Sequence, residues 1–247
     1  MPTNYKLSLA KTSRAHFRDE LRSSCNTMSI RTIAPISAAE FAHMMELVGP
    51  WPKKLCRWVS IKRVENAKNL ETAVANSGGS DSTCLLFLLN EYIKKAFPSR
   101  KLLSLTVDHD LQPTSAKMAE HAAKSAESLG VKHVTTKILW GEGIYPEKPT
   151  SHSKLEKLAR DARYAALYTA MQDAQCYALA LGHHIDDQVE TMLMRLGRGT
   201  TKLGMIGMQR RSRWGMGEYN DPLTWRGHNG VRTYKLRPLL DVGKVSL

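Results

Sequence analysis

The sequence predicts an α/β protein with an open, mostly parallel twisted sheet and helices on both of its faces. Between residues 71 and 190, short runs rich in Val, Leu, Thr and Ala alternate with longer stretches of helical periodicity. Turns with Gly, Pro or Ser separate the two kinds of segment. Because strands that alternate with helices build βαβ units, we expect their strands to run parallel in one sheet.

Each element follows from a local pattern. Phe41, Met44, Met45 and Val48 recur at helical spacing before Gly49-Pro50, which predicts a first helix. Apolar runs then predict strands at 72–75, 102–107, 131–139 and 176–181. The stretches between them predict helices at 82–95, 114–129 and 154–174, and a last helix from about residue 186. Residues 140–153 hold Gly, Pro and Ser and are predicted as a loop.

The remaining segments differ in composition. Residues 1–34 are basic and rich in Ser and Thr, which is typical of an organellar transit peptide and also of a disordered tail. Residues 35–70 form a basic helical lead-in and 71–210 the central domain. Residues 211–247 form a basic tail rich in Gly and Arg, either separate or a truncated continuation of the domain.

Charge and cysteine content narrow the classes of function. The formal net charge is +13, made of +7 in residues 1–70, −2 in 71–190 and +8 in 191–247. Two basic ends favour a polyanionic partner, although a solubilising surface has the same composition. The four cysteines include no C-x-x-C pair, which argues against zinc, iron–sulfur and disulfide-rich proteins. The longest apolar run, Cys84 to Leu89, is far shorter than the ~20 residues of a membrane span.

A glycine-rich turn joins the first strand to its helix and has the sequence Ser77-Gly78-Gly79-Ser80-Asp81-Ser82. Its glycines let the backbone approach a ligand without a Cβ in the way. Free N–H groups at a helix start, together with three hydroxyls, suit a phosphate. Asp81 would repel a bare phosphate and so indicates a bridging cation. The turn is neither a Walker loop nor a Rossmann fingerprint, and a helix cap after a flexible turn is the alternative.

Three further segments accompany this turn. Residues 107–113 read VDHDLQP, 156–164 read EKLARDARY, and 182–191 read GHHIDDQVET, followed by RLGRG at 195–199 and GMIGM at 204–208. The glycine-rich turn resembles the PP-loop of the N-type ATP pyrophosphatases. In this order and spacing, the set resembles the tRNA(Ile)-lysidine synthase family over residues 71–210, with an echo in Arg-Pro-Leu-Leu at 237–240.

The resemblance implies an ATP-dependent carbon–nitrogen ligase with a PP-loop ATPase fold. In this reaction ATP adenylates the C2 carbonyl oxygen of the wobble cytidine in the CAU anticodon of tRNA(Ile), and the ε-amine of free lysine displaces AMP. The resemblance implies that Asp187 and Glu190 bind the lysine, and that Asp81, Arg160 and Arg163 complete the catalytic set. It implies that Mg²⁺ lies at Asp81 and that ATP is bound by Ser77, Gly78, Gly79, Ser80, Asp81, Ser82, Asp108 and His109.

The residues themselves leave alternatives open. Arg160 and Arg163 share a helix face with Glu156, where they either neutralise phosphates or form a solvated ion pair. Asp186, Asp187 and Glu190 crowd one helical turn, and this crowding favours either a bound ammonium group or cation or a capping box of Asp187 with Glu190. His183 and His184 either move protons, contact the nucleotide or pack as structural residues.

A basic segment follows the central domain. Its basic residues are interleaved with Trp214, Tyr219 and Trp225, a mixture that favours single-stranded RNA. They are Arg195, Arg198, Arg210, Arg211, Arg213 and Arg226. An ordinary basic surface loop is the alternative. We expect partners to be tRNA(Ile) with a CAU anticodon and free L-lysine, with no membrane partner; nothing indicates an oligomeric state.

Two departures from the family pattern stand out. Asp110 and Gln112 occupy positions where the family commonly has Gly and Arg. Family members also usually continue beyond the Arg-Pro-Leu-Leu echo, whereas this chain stops at Leu247, so we expect a truncated or inactive protein or one that uses its own basic N-terminal segment. The alternatives are a thiolation-type PP-loop tRNA modifier, a non-catalytic tRNA-binding relative and a small-molecule amide ligase. The transit-like start leads us to expect mitochondrial residence, with the cytoplasm as the alternative.

Overall fold

The computed structural model describes residues 35–49, 72–149, 152–199 and 206–244, of which 152–154 are described for their backbone alone. The expected targeting segment, 1–34, and most of the expected lead-in, 35–70, lie outside the described residues. None of the described helices is both long and apolar enough to cross a membrane.

The described residues form helices and strands in alternation, largely where the sequence predicts them. The helices are α1 (Ala38–Leu47), α2 (Ser80–Ala96), α3 (Ser115–Ser128), α4 (His152–Asp173), α5 (Ile185–Gly197) and α6 (Gly227–Arg232). The strands are β1 (Thr72–Ala75), β2 (Leu102–Asp108), β3 (Lys132–Lys137), β4 (Ala178–Ala180), β5 (Arg211–Arg213) and β6 (Tyr234–Leu236).

All these strands belong to one sheet with the order β3-β2-β1-β4-β6-β5. Every neighbouring pair is parallel except β5 with β6. The central strand β1 pairs with β2 from Thr72 opposite Leu102, and with β4 from Ala73 opposite Leu179. The predicted open, mostly parallel α/β fold is therefore confirmed.

The two faces of the sheet are covered by different helices because side chains alternate along each strand. On one face Val74 packs with apolar residues of α1 and α2, including Phe41 and Leu89. On the other face Ala73 and Leu103 pack against α4 through Met171. Each of these side chains is at most 1% exposed, and replacing such a buried Leu or Met by Ala typically costs about 2–5 kcal/mol.

Strands β5 and β6 were not predicted, because the sequence from residue 211 onward shows only weak periodicity. In the structure β6 pairs with β4 from Ala178 opposite Tyr234, and β5 lies at the sheet edge. Each strand has three residues, too few for a two-residue repeat to emerge. Part of the predicted tail thus extends the sheet.

The strand order reverses beside β1. The chain moves from β1 to β2 and β3 on one side, and β4 lies on the other side of β1. In open α/β sheets, such a reversal opens a crevice at the carboxyl ends of the two strands, where ligands bind. The predicted site motifs at residues 77–82 and 182–190 follow β1 and β4, so the topology brings them to this crevice.

Candidate functional site

The glycine-rich turn is held by Asn76, a side chain that is 1% exposed at the end of β1. The Asn76 amide nitrogen donates to the Ala122 carbonyl oxygen and to the Ser125 hydroxyl on α3, each at 3.1 Å. Its Oδ1 accepts the Gly78 N–H at 3.1 Å. The Ser77 N–H closes the turn by donating to the Ser82 hydroxyl at 3.1 Å. The turn is therefore anchored to α3 before any ligand binds.

Two glycines make close backbone contacts around this turn. Gly78 has a φ of +79°, and a Cβ there would lie 2.5 Å from the Met118 carbonyl oxygen. A Cβ on Gly182, which follows β4, would lie 3.1 Å from the Asp81 carbonyl oxygen. Gly79 is the N-cap of α2 and no side chain caps it. The first N–H groups of α2 are therefore available to an anion.

A first cavity of about 430 Å³ opens above the turn. It is bounded by the ends of β1 and β2 and by α4, with Ser77, Ser82, Thr106, His109, Arg163 and Asp187 among its lining residues. The lining combines hydroxyl groups and a guanidinium with apolar Leu105 and Leu167, which suits a ligand that has both a phosphate and a flat apolar part.

A second cavity of about 520 Å³ adjoins the first. Its lining residues include Glu156, Arg160, Arg163, His183, Asp187 and Glu190. Arg163, His183 and Asp187 also line the first cavity. The structure thus brings together all the acidic and basic residues predicted at residues 156–163, and it sets Asp187 between two connected spaces.

His183 faces both cavities and is held from behind by Arg237. The Arg237 Nε–H donates to His183 Nδ1 at 3.2 Å, and Arg237 is itself only 7% exposed. Burial, followed by the charge of Arg237, lowers the pKa of His183 to about 4, although Asp187 acts in the opposite direction. Because an arginine Nε can only donate, the proton of the neutral imidazole is on Nε2. His183 is therefore a neutral N–H donor at pH 7.

His184 has a different role, because it is 4% exposed and caps α5. The imidazole Nδ1 of His184 accepts the backbone N–H of Asp186 at 3.3 Å. The backbone N–H of His184 donates to Asp187 Oδ2 at 2.9 Å. Its Nε2 lies 3.5 Å from an Asp81 oxygen and 3.6 Å from an Asp187 oxygen. His184 therefore joins the carboxylates of α2 and α5, and the Lys244 ammonium also approaches Asp81, at 3.7 Å.

A capping box does form at the start of α5, but three residues earlier than the sequence alternative placed it. The N-cap is His184 and the third helical residue is Asp187. Glu190 takes no part in the cap and is exposed in the second cavity. The two predicted lysine ligands therefore differ. One Asp187 oxygen accepts a hydrogen bond in the helix cap, whereas the Glu190 carboxylate makes no hydrogen bond to the described residues.

The turn after β2 places His109 in both cavities and turns Asp108 away from them. Asp108 accepts the Ser115 hydroxyl at 2.7 Å and the Asp110 N–H at 3.1 Å. Burial opposes the ionised form of Asp108, but these hydrogen bonds and nearby Lys137 hold its pKa below the usual value. Burial, aided by the Arg163 charge, lowers the pKa of His109. Asp108 therefore shapes the turn, and its predicted contact with ATP stays a prediction.

Asp110 explains one departure from the family pattern. Its φ is +49°, in the left-handed region that glycine adopts at least cost and that Asp tolerates better than most residues. Its carboxylate lies 3.8 Å from the Lys148 ammonium and 4.0 Å from that of Lys137. The aspartate thus keeps the backbone conformation that favours glycine at this position.

The five predicted tRNA-binding arginines do not line the two cavities. The Arg195 guanidinium donates to the Gly207 carbonyl oxygen at 3.0 Å. Arg210 pairs with Asp241, with its Nε 2.7 Å from the carboxylate. Arg211 lies over the Tyr234 ring, 4.3 Å from its centroid. Arg198 directly follows α5, and Arg213 is the last residue of β5.

Sequence reasoning missed two residues of the site. Asn76 precedes the glycine-rich turn, and its signal is a polar residue directly after a buried apolar strand. Arg237 was seen only as part of the Arg-Pro-Leu-Leu echo, and its signal is a charged residue inside an otherwise apolar run. Among the described residues, no group of three His, Cys, Asp or Glu side chains could hold a metal ion by itself.

Comparisons with known proteins agree with this geometry. A family model described as a PP-loop domain matches residues 57–247. The tRNA(Ile)-lysidine synthase of Rhodococcus jostii is 37% identical over 186 residues, 75% of this chain and 45% of that relative. The tRNA(Ile)-lysidine synthase of Mesorhizobium japonicum is 41% identical over 133 residues, 54% of this chain and 28% of that relative. The chain thus spans less than half the length of these relatives.

A solved structure supports the fold. The U34-tRNA thiolase NcsA from Methanococcus maripaludis has a TM-score of 0.51 and 19% identity, covering 83% of this chain and 61% of that one. The resemblance stated from the sequence motifs is confirmed by the family model and by the curated relatives. Since the PP-loop model matches most of the chain and the relatives share its motif region, the chain belongs to the PP-loop domain family and resembles its tRNA(Ile)-lysidine synthases.

Proposed function

We propose that this chain carries the catalytic domain of a tRNA(Ile)-lysidine synthase, an ATP-dependent carbon–nitrogen ligase. One observation carries the proposal: Asp187 lies where a cavity over the glycine-rich turn meets a second cavity that holds Arg160 and Glu190. A two-step ligase needs such an arrangement, because the group activated by ATP must be attacked by an amine that arrives from another space.

ATP binds in the first cavity in this proposal. The wobble cytidine C2 oxygen attacks the α-phosphorus and pyrophosphate leaves. The turn of residues 77–82 holds the departing pyrophosphate through N–H groups at the start of α2. The close backbone contacts of Gly78 with α3 and of Gly182 with α2 keep this turn in place, which supports the fit. Mg²⁺ would be held by Asp81 together with phosphate oxygens, and it would neutralise charge on the leaving group.

Lysine enters the second cavity. Glu190 and the Asp187 carboxylate bind its ε-ammonium and accept a proton, since the amine must be neutral to attack C2. Attack breaks the bond between C2 and the adenylate oxygen and releases AMP. Arg160 and Arg163 neutralise phosphate oxygens, and the neutral His183 Nε2–H donates a hydrogen bond to the adenylate or the cytidine. The tRNA carries a CAU anticodon, and Arg195, Arg198, Arg210, Arg211 and Arg213 bind its phosphates.

The first experiment measures ATP-dependent incorporation of labelled lysine into a tRNA(Ile) transcript with a CAU anticodon, with a tRNA(Met) transcript as control. We expect selective incorporation with one AMP released per lysine. Absence of incorporation by a folded chain that still binds ATP contradicts the proposal. Binding of tRNA without AMP release would instead support the non-catalytic alternative.

Glu190→Gln separates lysine binding from nucleotide chemistry. Glu190 makes no hydrogen bond to the described residues, so its neutral isostere leaves the fold intact. Loss of a charge-assisted hydrogen bond of about 1.5–3 kcal/mol raises the KM for lysine about tenfold to hundredfold, with ATP binding unchanged. Asp173→Asn, an exposed carboxylate at the end of α4, is the matched control. An unchanged lysine KM would remove Glu190 from the lysine site.

The thiolation alternative gains no support from the described cysteines. Cys176 is buried and Cys84 is half-buried, and neither lines the first or the second cavity. A sulfur-transfer assay on the same transcript distinguishes the two activities, and we expect it to be negative.

A further inference from the structure

A third cavity of about 240 Å³ lies between α4 and the strands β5 and β6. Its lining includes Arg160, Tyr164, Trp214, Arg226, Lys235 and Arg237. Arg160 and Tyr164 also line the second cavity, so the two spaces share one wall. The activity proposed above uses only the side of Arg160 that faces the second cavity.

Positive charge in the third cavity is not neutralised by the protein. Four cationic side chains line it together with one carboxylate, that of Asp161. Among the described residues, no carboxylate lies within 4.0 Å of Arg160, Arg226, Lys235 or Arg237. Burial, followed by the charges of Arg237 and Arg160, lowers the pKa of Lys235 to about 8. Like charges gathered in a partly buried space favour an anionic ligand.

The cationic side chains of the third cavity differ in how many hydrogen bonds they make within the protein. Arg237 is engaged with His183, with the Gln209 carbonyl oxygen at 2.9 Å and with the Ser212 hydroxyl at 3.2 Å. Lys235 lies two residues earlier on β6 and therefore on the same face of the strand. The side chains of Lys235 and Arg160 make no hydrogen bond to the described residues. Their donors are therefore available to a ligand.

An aromatic wall adjoins these free donors. The Lys235 ammonium lies 5.4 Å from the centroid of the Trp214 ring and 5.7 Å from that of Tyr164. The two rings meet edge to face at 5.6 Å and 77°, so each keeps the other in place. Both rings are partly exposed. Cations beside held aromatic rings bind single-stranded nucleic acid, because phosphates pair with the cations while bases stack.

We propose that the third cavity binds the phosphodiester and stacked base of the RNA nucleotide adjacent to the one that reacts in the second cavity. Lys235 and Arg160 contact the phosphate and Trp214 stacks on the base. This inference rests on the proposed function for the identity of the RNA, since the reacting nucleotide must meet the lysine that enters the second cavity. The proposal assigns Lys235 and Trp214 to substrate binding, whereas neither residue lies in the motifs that resemble the family.

The test measures binding of the tRNA(Ile) transcript by the full chain, at several salt concentrations, for wild type, Lys235→Met and Lys235→Arg. Lys132→Met is the matched control, because Lys132 is an exposed lysine on β3 at the opposite edge of the sheet. We expect Lys235→Met to weaken binding about fivefold to tenfold near 0.1 M salt and to reduce the salt slope by about one. Lys235→Arg and Lys132→Met should bind as wild type.

A second pair of variants tests the stacking. Trp214→Leu should lower RNA affinity about fivefold or more, whereas Trp225→Leu, at a ring that packs on Tyr219 outside the cavity, should not. Thermal unfolding of each variant reports whether the fold is kept. If Trp214→Leu unfolds, Trp214→Phe with an intact fold takes its place and should lower RNA affinity by less than the roughly fivefold expected for Trp214→Leu, because a smaller ring still stacks on the base.

Several outcomes overturn the inference. It fails if Lys235→Met binds the transcript with the wild-type affinity and salt slope, or if wild type does not bind RNA. It also fails if Lys235→Met loses affinity for ATP or inorganic pyrophosphate instead, because the cavity would then serve the nucleotide. If wild type transfers lysine and Lys235→Met has the wild-type KM for tRNA, this inference is wrong and the proposed function stands. If RNA binding depends on Lys235 but wild type transfers no lysine, the proposed function is wrong and this inference stands.

Discussion

Replacing His183 by glutamine should change how the stability of the protein depends on pH. A glutamine Oε1 can still accept the Arg237 Nε–H that His183 Nδ1 accepts at 3.2 Å, but the side chain no longer titrates. His183→Gln therefore removes the proton equilibrium while keeping the hydrogen bond that holds Arg237.

The magnitude follows from the pKa of His183, which is about 4 in the folded chain and near 6.5 in the unfolded one. Between these values the unfolded chain binds a proton that the folded chain rejects, so wild-type stability falls as the pH drops from 6.5 toward 4. At 1.36 kcal/mol for each pH unit, this single group costs wild type about 2 kcal/mol between pH 7 and pH 4.5. His183→Gln does not lose this stability, because its side chain does not titrate.

Urea unfolding of both proteins at pH 7 and pH 4.5 measures the effect. All other titrating groups are common to the two proteins, so the difference between their free energies of unfolding isolates His183. We expect this difference to move by about 2 kcal/mol in favour of His183→Gln at the lower pH. An equal difference at both pH values would refute a neutral His183 at pH 4.5.

Three further predictions concern the turns around the site. Gly78→Ala should lower the free energy of unfolding by at least about 2 kcal/mol, because φ at Gly78 is +79° and the new Cβ would meet a backbone carbonyl oxygen of α3 at 2.5 Å. Gly79→Ser, at a φ of −82°, should stay near wild type. Equal losses of the two variants in urea unfolding would contradict this prediction. Asp110→Ala should be less stable in thermal unfolding than Asp110→Gly by about 1 kcal/mol, since φ is +49°, and the reverse order would be evidence against a left-handed residue. Ser115→Ala should raise the pKa of Asp108 in an NMR titration, because a 2.7 Å hydrogen bond to the ionised form is lost; an unchanged pKa would show that this bond is absent in solution.

Local patterns account for the central part of the fold. Thr72–Ala75 and Leu102–Asp108 are apolar runs bounded by turns, and the sequence predicts them to within a residue. Strand β6 could not be predicted in this way. Its Tyr, Lys and Leu have no repeat long enough to detect, and it exists because it pairs with β4, more than fifty residues earlier.

The residues of the site were easier to find than their roles. Ser77–Ser82 and Asp187–Glu190 stand out because unusual residues gather at the ends of strands. The contrast between His183 and His184 could not be predicted, because the two are neighbours with the same chemistry. Arg237 makes the difference for His183, and the start of α5 makes it for His184. Both causes depend on packing between distant segments.

The position of β6 inside the sheet has a consequence for how the protein is made. β6 is the last strand of the described chain, yet it lies between β4 and β5 and carries Arg237 at its end. Contacts over such separations form late and slow folding. During synthesis the glycine-rich turn can therefore be anchored to α3 well before His183 acquires its partner. Chains interrupted before residue 234 would keep the first feature and lack the second, and their exposed β4 edge would favour association with other incomplete chains.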